Sequence, residues 1–257
     1  MLDEVERISG IDKVALYEEI RPIHQKHHTS EYAFLLEELP SLRNKFPDQD
    51  LTVVFDDAIH AYRSARKHNL VLYDGVRETL ATLRSKNIQI VIYTESLAYY
   101  TNFRIRRLEL DDLVDVIFSP PDHAVPITST GHNLGPSNGN AHLSHARHEF
   151  LPQGVIKPNP GVLLDIVDKI GRLPSECVYL GDSLMKDVAM AQDAKIIDVY
   201  AKYGVVQHKY EYELLQKVSH WTEEDVQREK SMSSPNRTIV PSHTIASFSE
   251  ILSLFQG

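Results

Sequence analysis

The chain has 257 residues and a mass of 29.3 kDa, which suits one large domain or two smaller ones. Hydrophobic residues make up 42% of it and charged residues 25%, which excludes a fibrous or wholly disordered chain. Its 27 basic and 36 acidic residues give a net charge of −9, which speaks against non-specific binding to nucleic acid or to an anionic membrane.

The residue content also bears on the cellular compartment. Cys177 is the only cysteine, so there is no internal disulfide framework, as is usual in a reducing cytoplasm. No apolar run approaches the roughly 20 residues that span a bilayer, and the acidic, helical N-terminus does not resemble a signal or transit peptide. We therefore expect a cytoplasmic protein, and the sequence leaves its oligomeric state open.

Residues 1–68 predict helices only, because their apolar positions recur every three or four residues. Pro22 is expected to break or bend the second of these helices. The last one is expected to begin near Asp48 or Asp50 and to run to about Lys67. The sequence thus predicts an all-helical domain at this end of the chain.

From residue 69 to residue 257 the predicted elements alternate between strands and helices. The predicted strands are Ile88–Tyr93, Val114–Phe118, Cys177–Leu180 and Ile196–Tyr200. The predicted helices are Val76–Lys86, Leu97–Leu108, Pro160–Ile170, Val188–Ala194 and a closing helix over Thr244–Phe255. This alternation indicates an α/β fold, with a Rossmann-like parallel sheet covered by helices on both faces.

Residues 119–154 interrupt this pattern with an irregular insertion rich in Pro, Gly, Ser, Asn and His. Imidazoles at such spacings can bind a transition metal. A polar, solvated loop is the favoured interpretation, because no cysteine or clear carboxylate set completes a metal site. The histidines concerned are His123, His132, His142, His145 and His148.

Polar side chains follow the predicted strands, where open parallel sheets bind their ligands. A hydroxyl, a cation and paired carboxylates at such a place suit phosphoryl chemistry, with the carboxylates able to hold Mg²⁺. Each residue also has a simpler explanation, since a threonine or aspartate there can cap a helix and a lysine can be solvated. Thr94, Glu95 and Ser96 follow one predicted strand, Asp182 and, further on, Asp187 follow another, and Lys157 lies just before the predicted helix Pro160–Ile170.

Three motifs in chain order resemble those of the haloacid dehalogenase superfamily, and the likeness covers about residues 70–204. Ile90–Ser96 is similar to the family's second motif, Lys157–Pro160 to its third and Val178–Asp187 to its fourth, which is the most specific. The resemblance implies that residues 1–68 form the cap domain, which in this family closes over the site and selects the substrate.

The resemblance also implies roles for individual residues. Thr94 would bind the phosphoryl group, and Lys157 would neutralise the nucleophile and the phosphoryl oxygens. Asp182 would ligate Mg²⁺, and Asp187 would support or share that ligation. The implied activity is Mg²⁺-dependent hydrolysis of a phosphate ester through an aspartyl-phosphate intermediate.

The implied substrate is a small phosphorylated metabolite, and neither nucleic acid nor membrane is expected as a partner. Thr94, Glu95, Ser96 and Lys157 are expected to contact it. An alternative is a non-catalytic protein on the same fold that binds a phosphorylated ligand or a protein partner. A phospho-receiver module is disfavoured, because it would be shorter, with its threonine and lysine closer together.

The first family motif, Asp-x-Asp-x-Thr at the end of an initial strand, is where the sequence departs from the pattern. Its nearest counterpart is Asp56-Asp57-Ala58, which carries alanine in place of the second motif aspartate, the general acid/base. A helical pattern runs through this segment without a break. We therefore expect Asp56 and Asp57 to be solvated residues of the last cap helix.

In this family the strand of the first motif is central, between the strands that end at Thr94 and Asp182. The simplest expectation is that Met1 is an internal residue of the first cap helix and that this strand lies upstream of it. The chain alone would then lack backbone pairing on two strands. We expect it to be destabilised and catalytically impaired or inactive.

Overall fold

The computed structural model describes residues 1–122, 143–152, 154–205, 210–224, 227 and 239–255. Contacts divide these residues into a helical unit, made of residues 1–71 and 210–222, and an α/β unit that holds the others. No helix in the described part of the chain is long and apolar enough to cross a membrane.

The helical unit starts with six helices, and side-chain caps explain where two of them begin. Asp12 accepts a hydrogen bond from the N–H of Val14 at 2.8 Å, and Asp50 accepts one from the N–H of Thr52 at 2.9 Å. The helices are α1 (Leu2–Ser9), α2 (Lys13–His27), α3 (Leu35–Glu38), α4 (Pro40–Lys45), α5 (Leu51–Val54) and α6 (Asp56–Asn69).

Pro22 does not break α2 but lies exposed inside a continuous helix, so of the two expected effects, a break or a bend, the break is excluded. A proline inside a helix costs about 3 kcal/mol, because it removes a hydrogen bond. Burial of Leu16 and Ile20 from the same helix in the core of the unit offsets this cost.

The expectation for Asp56 and Asp57 is confirmed. They lie in the first turn of α6, with side chains 62% and 78% exposed, and their acidic charge is favourable at a helix N-terminus. This segment is therefore not a strand that carries a catalytic aspartate.

The α/β unit contains parallel sheets flanked by helices. Its helices are α7 (Val76–Ser85), α8 (Ala98–Arg107), α9 (Pro160–Lys169) and α10 (Met190–Asp193). Its strands are β1 (Val91–Tyr93), β2 (Val116–Ser119), β3 (Arg147–Phe150), β4 (Val178–Gly181), β5 (Ile197–Ala201) and β6 (His243–Ile245). A π-helical turn, Leu184–Ala189, leads directly into α10, and a 3₁₀ helix, Phe248–Phe255, follows β6.

The strands form two separate parallel sheets, β1-β2-β3 and β4-β5-β6. In β2, Ile117 packs in a cluster with residues of α7 and α8, whereas Val116 and Phe118 pack in a cluster with Ile166 of α9. Both faces of β2 are thus covered, as its continuous apolar sequence indicates. Among the described residues, no strand pairs with the outer edge of β1 or of β4.

Two predicted elements need correction. The segment predicted as an irregular insertion over 119–154 contains β3, which pairs residue by residue with β2 and whose polar sequence hides it from a hydrophobic pattern. The predicted closing helix over Thr244–Phe255 is instead β6 followed by the 3₁₀ helix, because Ile245 pairs with Ala201 of β5.

The predicted boundary between the domains, at residue 68, also changes. The helical unit extends to residue 71 and includes residues 210–222, which contain α11 (Tyr210–Val218). These residues are tied to α2, because His24 Nδ1 shares a hydrogen bond with the carbonyl of Val218 at 2.5 Å. The sequence of α11 does not indicate which unit this short helix belongs to, because it lies far along the chain from the other helices of the helical unit.

Candidate active site

The carboxyl ends of β1 and β4 carry the residues that the sequence motifs single out. Thr94 follows β1 and donates its N–H to the carbonyl of Phe118 on β2 at 3.0 Å. Its hydroxyl oxygen accepts the N–H of Ser96 at 3.1 Å, and the Ser96 hydroxyl accepts from Arg104 at 2.6 Å. These bonds fix the turn after β1 and leave the Thr94 hydroxyl proton able to reach a ligand oxygen.

Lys157 is the cation of the site. Its Nζ lies 3.1 Å from Oδ1 of Asp187, and the two side chains are only 14% and 9% exposed. The ammonium also lies over the ring of Tyr93, 4.7 Å from the centroid, and over that of Tyr179 at 5.5 Å. The lysine is therefore enclosed by an ion pair and two aromatic faces.

This environment keeps Lys157 charged. Burial by itself lowers the pKa of a lysine, but interactions with Tyr179 and Asp187 outweigh it, so the pKa of Lys157 is raised. Burial raises the pKa of the Tyr179 phenol as well. At neutral pH the arrangement is thus an ammonium and a carboxylate beside a neutral phenol.

Asp187 is held from three sides. Besides Lys157, it accepts hydrogen bonds from the hydroxyl of Tyr179 at 3.2 Å and from the N–H of Ser183 at 3.1 Å. Gly181, the last residue of β4, passes so close that a Cβ there would collide with the Asp187 carboxyl group. Glycine at this position lets the π-helical turn place Asp187 against the strand.

Asp182 follows β4 directly and is the less satisfied carboxylate. Burial and then the like charge of Asp187 raise the pKa of Asp182, and Lys157 only partly opposes them. Gly204 packs against it, since a Cβ there would lie 2.8 Å from the Asp182 Cβ. A crowded carboxylate with a raised pKa is stabilised by a cation beside it.

The carboxylates of Asp182 and Asp187 fit Mg²⁺ as a partial ligand set. Within the described residues, no cluster of three or more His, Cys, Asp and Glu side chains could hold a metal ion by itself. Mg²⁺, however, is commonly bound by one or two carboxylates together with water and substrate phosphate. The chemistry of the donor set therefore agrees with the ion that the motifs imply.

Glu95 makes contacts that the sequence does not reveal. Its Oε1 accepts the backbone N–H of Lys157 at 2.7 Å, and its Oε2 accepts Lys186 Nζ at 3.2 Å. Lys186, Tyr93 and Tyr179 were not expected in the site. The two tyrosines could have been identified from the sequence, because they lie at or near the ends of the predicted strands that lead into Thr94 and Asp182.

The structure thus brings the predicted residues together at the ends of β1 and β4 within the α/β unit. Glu95 binds Lys157, Lys157 binds Asp187, and Asp187 acts on the charge of Asp182. Thr94 precedes Glu95 in the same turn. Their roles in binding substrate or metal stay predictions.

A cavity of about 300 Å³ lies between the two strands that lead into the site. Val91 and Tyr93 of β1 line it, together with Val178 and Tyr179 of β4. The buried Tyr93 hydroxyl has no hydrogen-bond partner among the described residues, and burial raises its pKa to about 12. The open edges of β1 and β4 and this cavity belong to the same gap.

Cys177 also lines the gap, directly before β4. Its Sγ donates a weak hydrogen bond to the carbonyl of Leu173 at 3.4 Å, and burial raises the pKa of the thiol. A partly buried thiol with a raised pKa is a poor nucleophile, and Cys177 packs as a small apolar residue against the cluster that contains Leu163 and Met190.

The predicted histidine-rich loop is only partly described, since His123, His132 and His142 lie outside the described residues. His148 is not in a solvated loop but on β3, where it is half-buried. Its Nε2 lies 2.7 Å from the hydroxyl of Ser119 and its Nδ1 lies 2.9 Å from Oδ1 of Asn102. Its contacts are those of a structural side chain, and it joins no metal-binding cluster of described residues.

The comparison with protein families decides the classification. A model of the haloacid dehalogenase-like hydrolases matches residues 4–195. The chain belongs to the haloacid dehalogenase-like hydrolases. Among members of this family, a 2-haloacid dehalogenase from Pseudomonas syringae pv. Tomato superposes with a TM-score of 0.54 at 18% identity, covering 99% of this chain and 85% of that one.

A second hydrolase of this family, a HAD phosphatase from Thermococcus onnurineus, superposes with a TM-score of 0.51 at 16% identity and covers 100% of this chain and 86% of that one. A glyceraldehyde 3-phosphate phosphatase from Methanopyrus kandleri is 39% identical over 68 residues. That match spans 25% of this chain and 29% of the relative. The structural matches show the fold alone.

Proposed function

We propose that the protein is a Mg²⁺-dependent phosphatase of a small phosphorylated metabolite. The observation that carries the proposal is the enclosed Lys157–Asp187 pair, which lies beside Asp182 and is tied to the turn of Thr94. The 68-residue likeness to a glyceraldehyde 3-phosphate phosphatase supports a phosphate monoester as substrate.

Each residue of the site has a chemical task in this proposal. The Lys157 ammonium offsets negative charge on the phosphoryl oxygens, and the Thr94 hydroxyl donates a hydrogen bond to one of them. Asp182 would hold Mg²⁺, and Asp187, whose charge acts on Asp182, would support or share that ligation. Bound Mg²⁺ supplies further charge neutralisation at the transferring phosphoryl group. Glu95 and Ser96 belong to the turn that presents Thr94.

The nucleophile in this proposal is an aspartate on a strand that pairs between β1 and β4. Such an insertion is supported by the cavity between β1 and β4 and, in the part of the chain that the structure describes, by the open edges of these strands and the Tyr93 hydroxyl without a partner. The aspartate carboxylate attacks phosphorus as the alcohol leaves, and water then hydrolyses the aspartyl-phosphate to aspartate and phosphate. A second aspartate, two residues on, gives a proton to the leaving alcohol and regains one from the water that attacks the aspartyl-phosphate.

The test supplies the strand as a synthetic peptide that ends in Asp-x-Asp-x-Thr, with p-nitrophenyl phosphate as substrate. We expect background turnover by the chain alone and Mg²⁺-dependent phosphate release with the peptide. EDTA should abolish the release, and so should the substitution Asp182→Asn. A matched peptide with Asn-x-Asn should bind without turnover.

Equal phosphate release with the Asp and Asn peptides would contradict the catalytic proposal. Binding of both peptides with no turnover by either would also contradict it and would favour a non-catalytic protein on this fold. Turnover with the Asp peptide alone would thus indicate an enzyme, and binding of both peptides without turnover would indicate a binding protein.

A further inference from the structure

The Glu95 carboxylate connects two segments that are far from it in sequence. One oxygen accepts the N–H of Lys157 at 2.7 Å and the other accepts Lys186 Nζ at 3.2 Å. The Glu95 and Lys186 side chains are only 24% and 20% exposed. Both carboxylate oxygens are therefore engaged by the protein itself, in a partly buried place where such bonds are stronger than in water.

These contacts close a ring. Lys157 Nζ binds Asp187, Asp187 follows Lys186 in the π-helical turn, and Lys186 returns to Glu95. A second bond inside the turn, from the N–H of Lys186 to the Ser183 hydroxyl at 3.1 Å, fixes its first residues. Because the ring is closed, losing the carboxylate frees the Lys157 backbone and the turn that carries Asp187 at the same time.

We propose that Glu95 is a positioning residue that holds the Lys157 ammonium against Asp187 and the end of β1. It acts through Lys157, because its two oxygens bind the backbone N–H of Lys157 and the ammonium of Lys186. What the ammonium then does rests on the proposed function, but its position is a property of the folded chain alone.

Acetylation measures that position without any substrate. Acetic anhydride modifies only accessible, neutral amines, and mass spectrometry of peptides gives the rate at each lysine between pH 7 and pH 10. The exposed Lys169 serves as the internal reference. Glu95→Ala should raise the rate at Lys157 relative to Lys169 about fivefold, since a lost hydrogen bond to a half-buried N–H corresponds to a factor of this size.

The control variant is Glu250→Ala. Glu250 also accepts a backbone N–H, that of Ala246 at 3.2 Å, but it is exposed and belongs to the C-terminal 3₁₀ helix. It should leave the rate at Lys157 unchanged. Comparing the two variants shows whether a change in the Lys157 rate is specific to the Glu95 contacts or follows the loss of any glutamate that accepts a backbone N–H.

Graded variants keep the proposal testable if Glu95→Ala fails to fold. Glu95→Gln keeps an acceptor for the N–H of Lys157 and loses the ion pair, so its effect should be intermediate, like that of Lys186→Met. Glu95→Asp is one methylene too short for both contacts and should resemble the alanine variant.

Two results would overturn the proposal: an unchanged rate at Lys157 in folded Glu95 variants, or an equal rise at Lys157 and Lys169. Because no turnover is measured, a protein without phosphatase activity can still show the predicted change. A failure of the proposed phosphatase function can therefore be distinguished from a failure of the proposed positioning role of Glu95.

Discussion

At the scale of single residues, the largely enclosed Lys157 and the buried Asp187 are ionic partners. Removing one member of such a pair leaves an uncompensated charge out of water and typically costs 3–5 kcal/mol. Lys157→Met should therefore lower the free energy of unfolding by about 3 kcal/mol, as measured by urea denaturation.

A double-mutant cycle controls for this effect. Asp187→Asn alone should also destabilise, because the ammonium then lacks its carboxylate. The double variant Lys157→Met with Asp187→Asn should lose clearly less than the sum of the two single losses. Strict additivity would contradict the idea that the pair acts as a unit.

His148 gives the fold a dependence on pH. Burial lowers the pKa of His148, and the charge of Asp122 opposes this only partly. Protonation is therefore easier in the unfolded chain, where the pKa is about 6.5, so stability falls as the pH falls through about 6.5. The slope stays below about 1.4 kcal/mol per pH unit, because one proton is involved and the ring is half-buried.

The measurement compares urea midpoints at pH 7.5 and pH 5.5. His148→Gln should reduce the loss of stability between these values. His60→Gln is the control, because it removes a histidine whose side chain is 69% exposed on α6. Equal losses in wild type and in the His148 variant would show that this histidine does not sense the change.

At the scale of elements, the sequence predicts most accurately the helices and strands that have a strong local pattern. Helices α7, α8 and α9 and strands β4 and β5 lie within one or two residues of their predicted positions. All have apolar faces or β-branched runs that local sequence displays. Asp182 follows β4 and could therefore be placed at a sheet end from sequence, and Thr94 could be placed likewise because the predicted end of its strand, Tyr93, is also the observed end of β1.

Elements whose stability comes from partners distant in sequence could not be predicted. Strand β3 has the polar sequence Arg-His-Glu-Phe and exists because β2 offers it an edge. The contacts of Glu95 with Lys157 and Lys186 also depend on the final fold, since they join residues 62 and 91 positions apart. Local propensity contains no record of such pairings.

The close approach of β4 and the π-helical turn gives a prediction for a glycine. A methyl group at Gly181 would collide with the Asp187 carboxyl group and would force the turn away from the strand. Gly181→Ala should destabilise the protein by about 2 kcal/mol, within the usual cost of overpacking. It should also raise the acetylation rate of Lys157, because Asp187 would move.

Gly161→Ala is the matched control for this substitution. Its new Cβ would meet only Asn159 Oδ1 at 3.5 Å, an ordinary contact, inside α9 where alanine favours the helix. Its stability should be equal to that of the wild type or higher. Similar losses in the two variants would show that steric collision with Asp187 is not the cause.

At the scale of the whole molecule, the described strands form two parallel sheets, each of which ends in a strand with an open edge. Both β1 and β4 are edge strands that line one cavity, whereas β2 and β5 are paired on both sides. Within the described ranges, the site residues at the ends of β1 and β4 thus depend on two sheets that share no backbone ladder. An open edge presents unpaired N–H and C=O groups that can accept another strand.

Hydrogen exchange of neighbouring amides tests this arrangement. Thr94 donates its N–H to Phe118 on β2, so by alternation along the strand the N–H of Tyr93 points to the open edge. The Tyr93 amide should exchange at least tenfold faster than the Thr94 amide, and the Asp-x-Asp-x-Thr peptide should slow it toward the Thr94 rate. The Ile117 amide of the central strand β2 is the control and should exchange slowly with or without peptide. If Tyr93 is as protected as Thr94 in the chain alone, the edge of β1 is already paired and the gap cannot receive a strand.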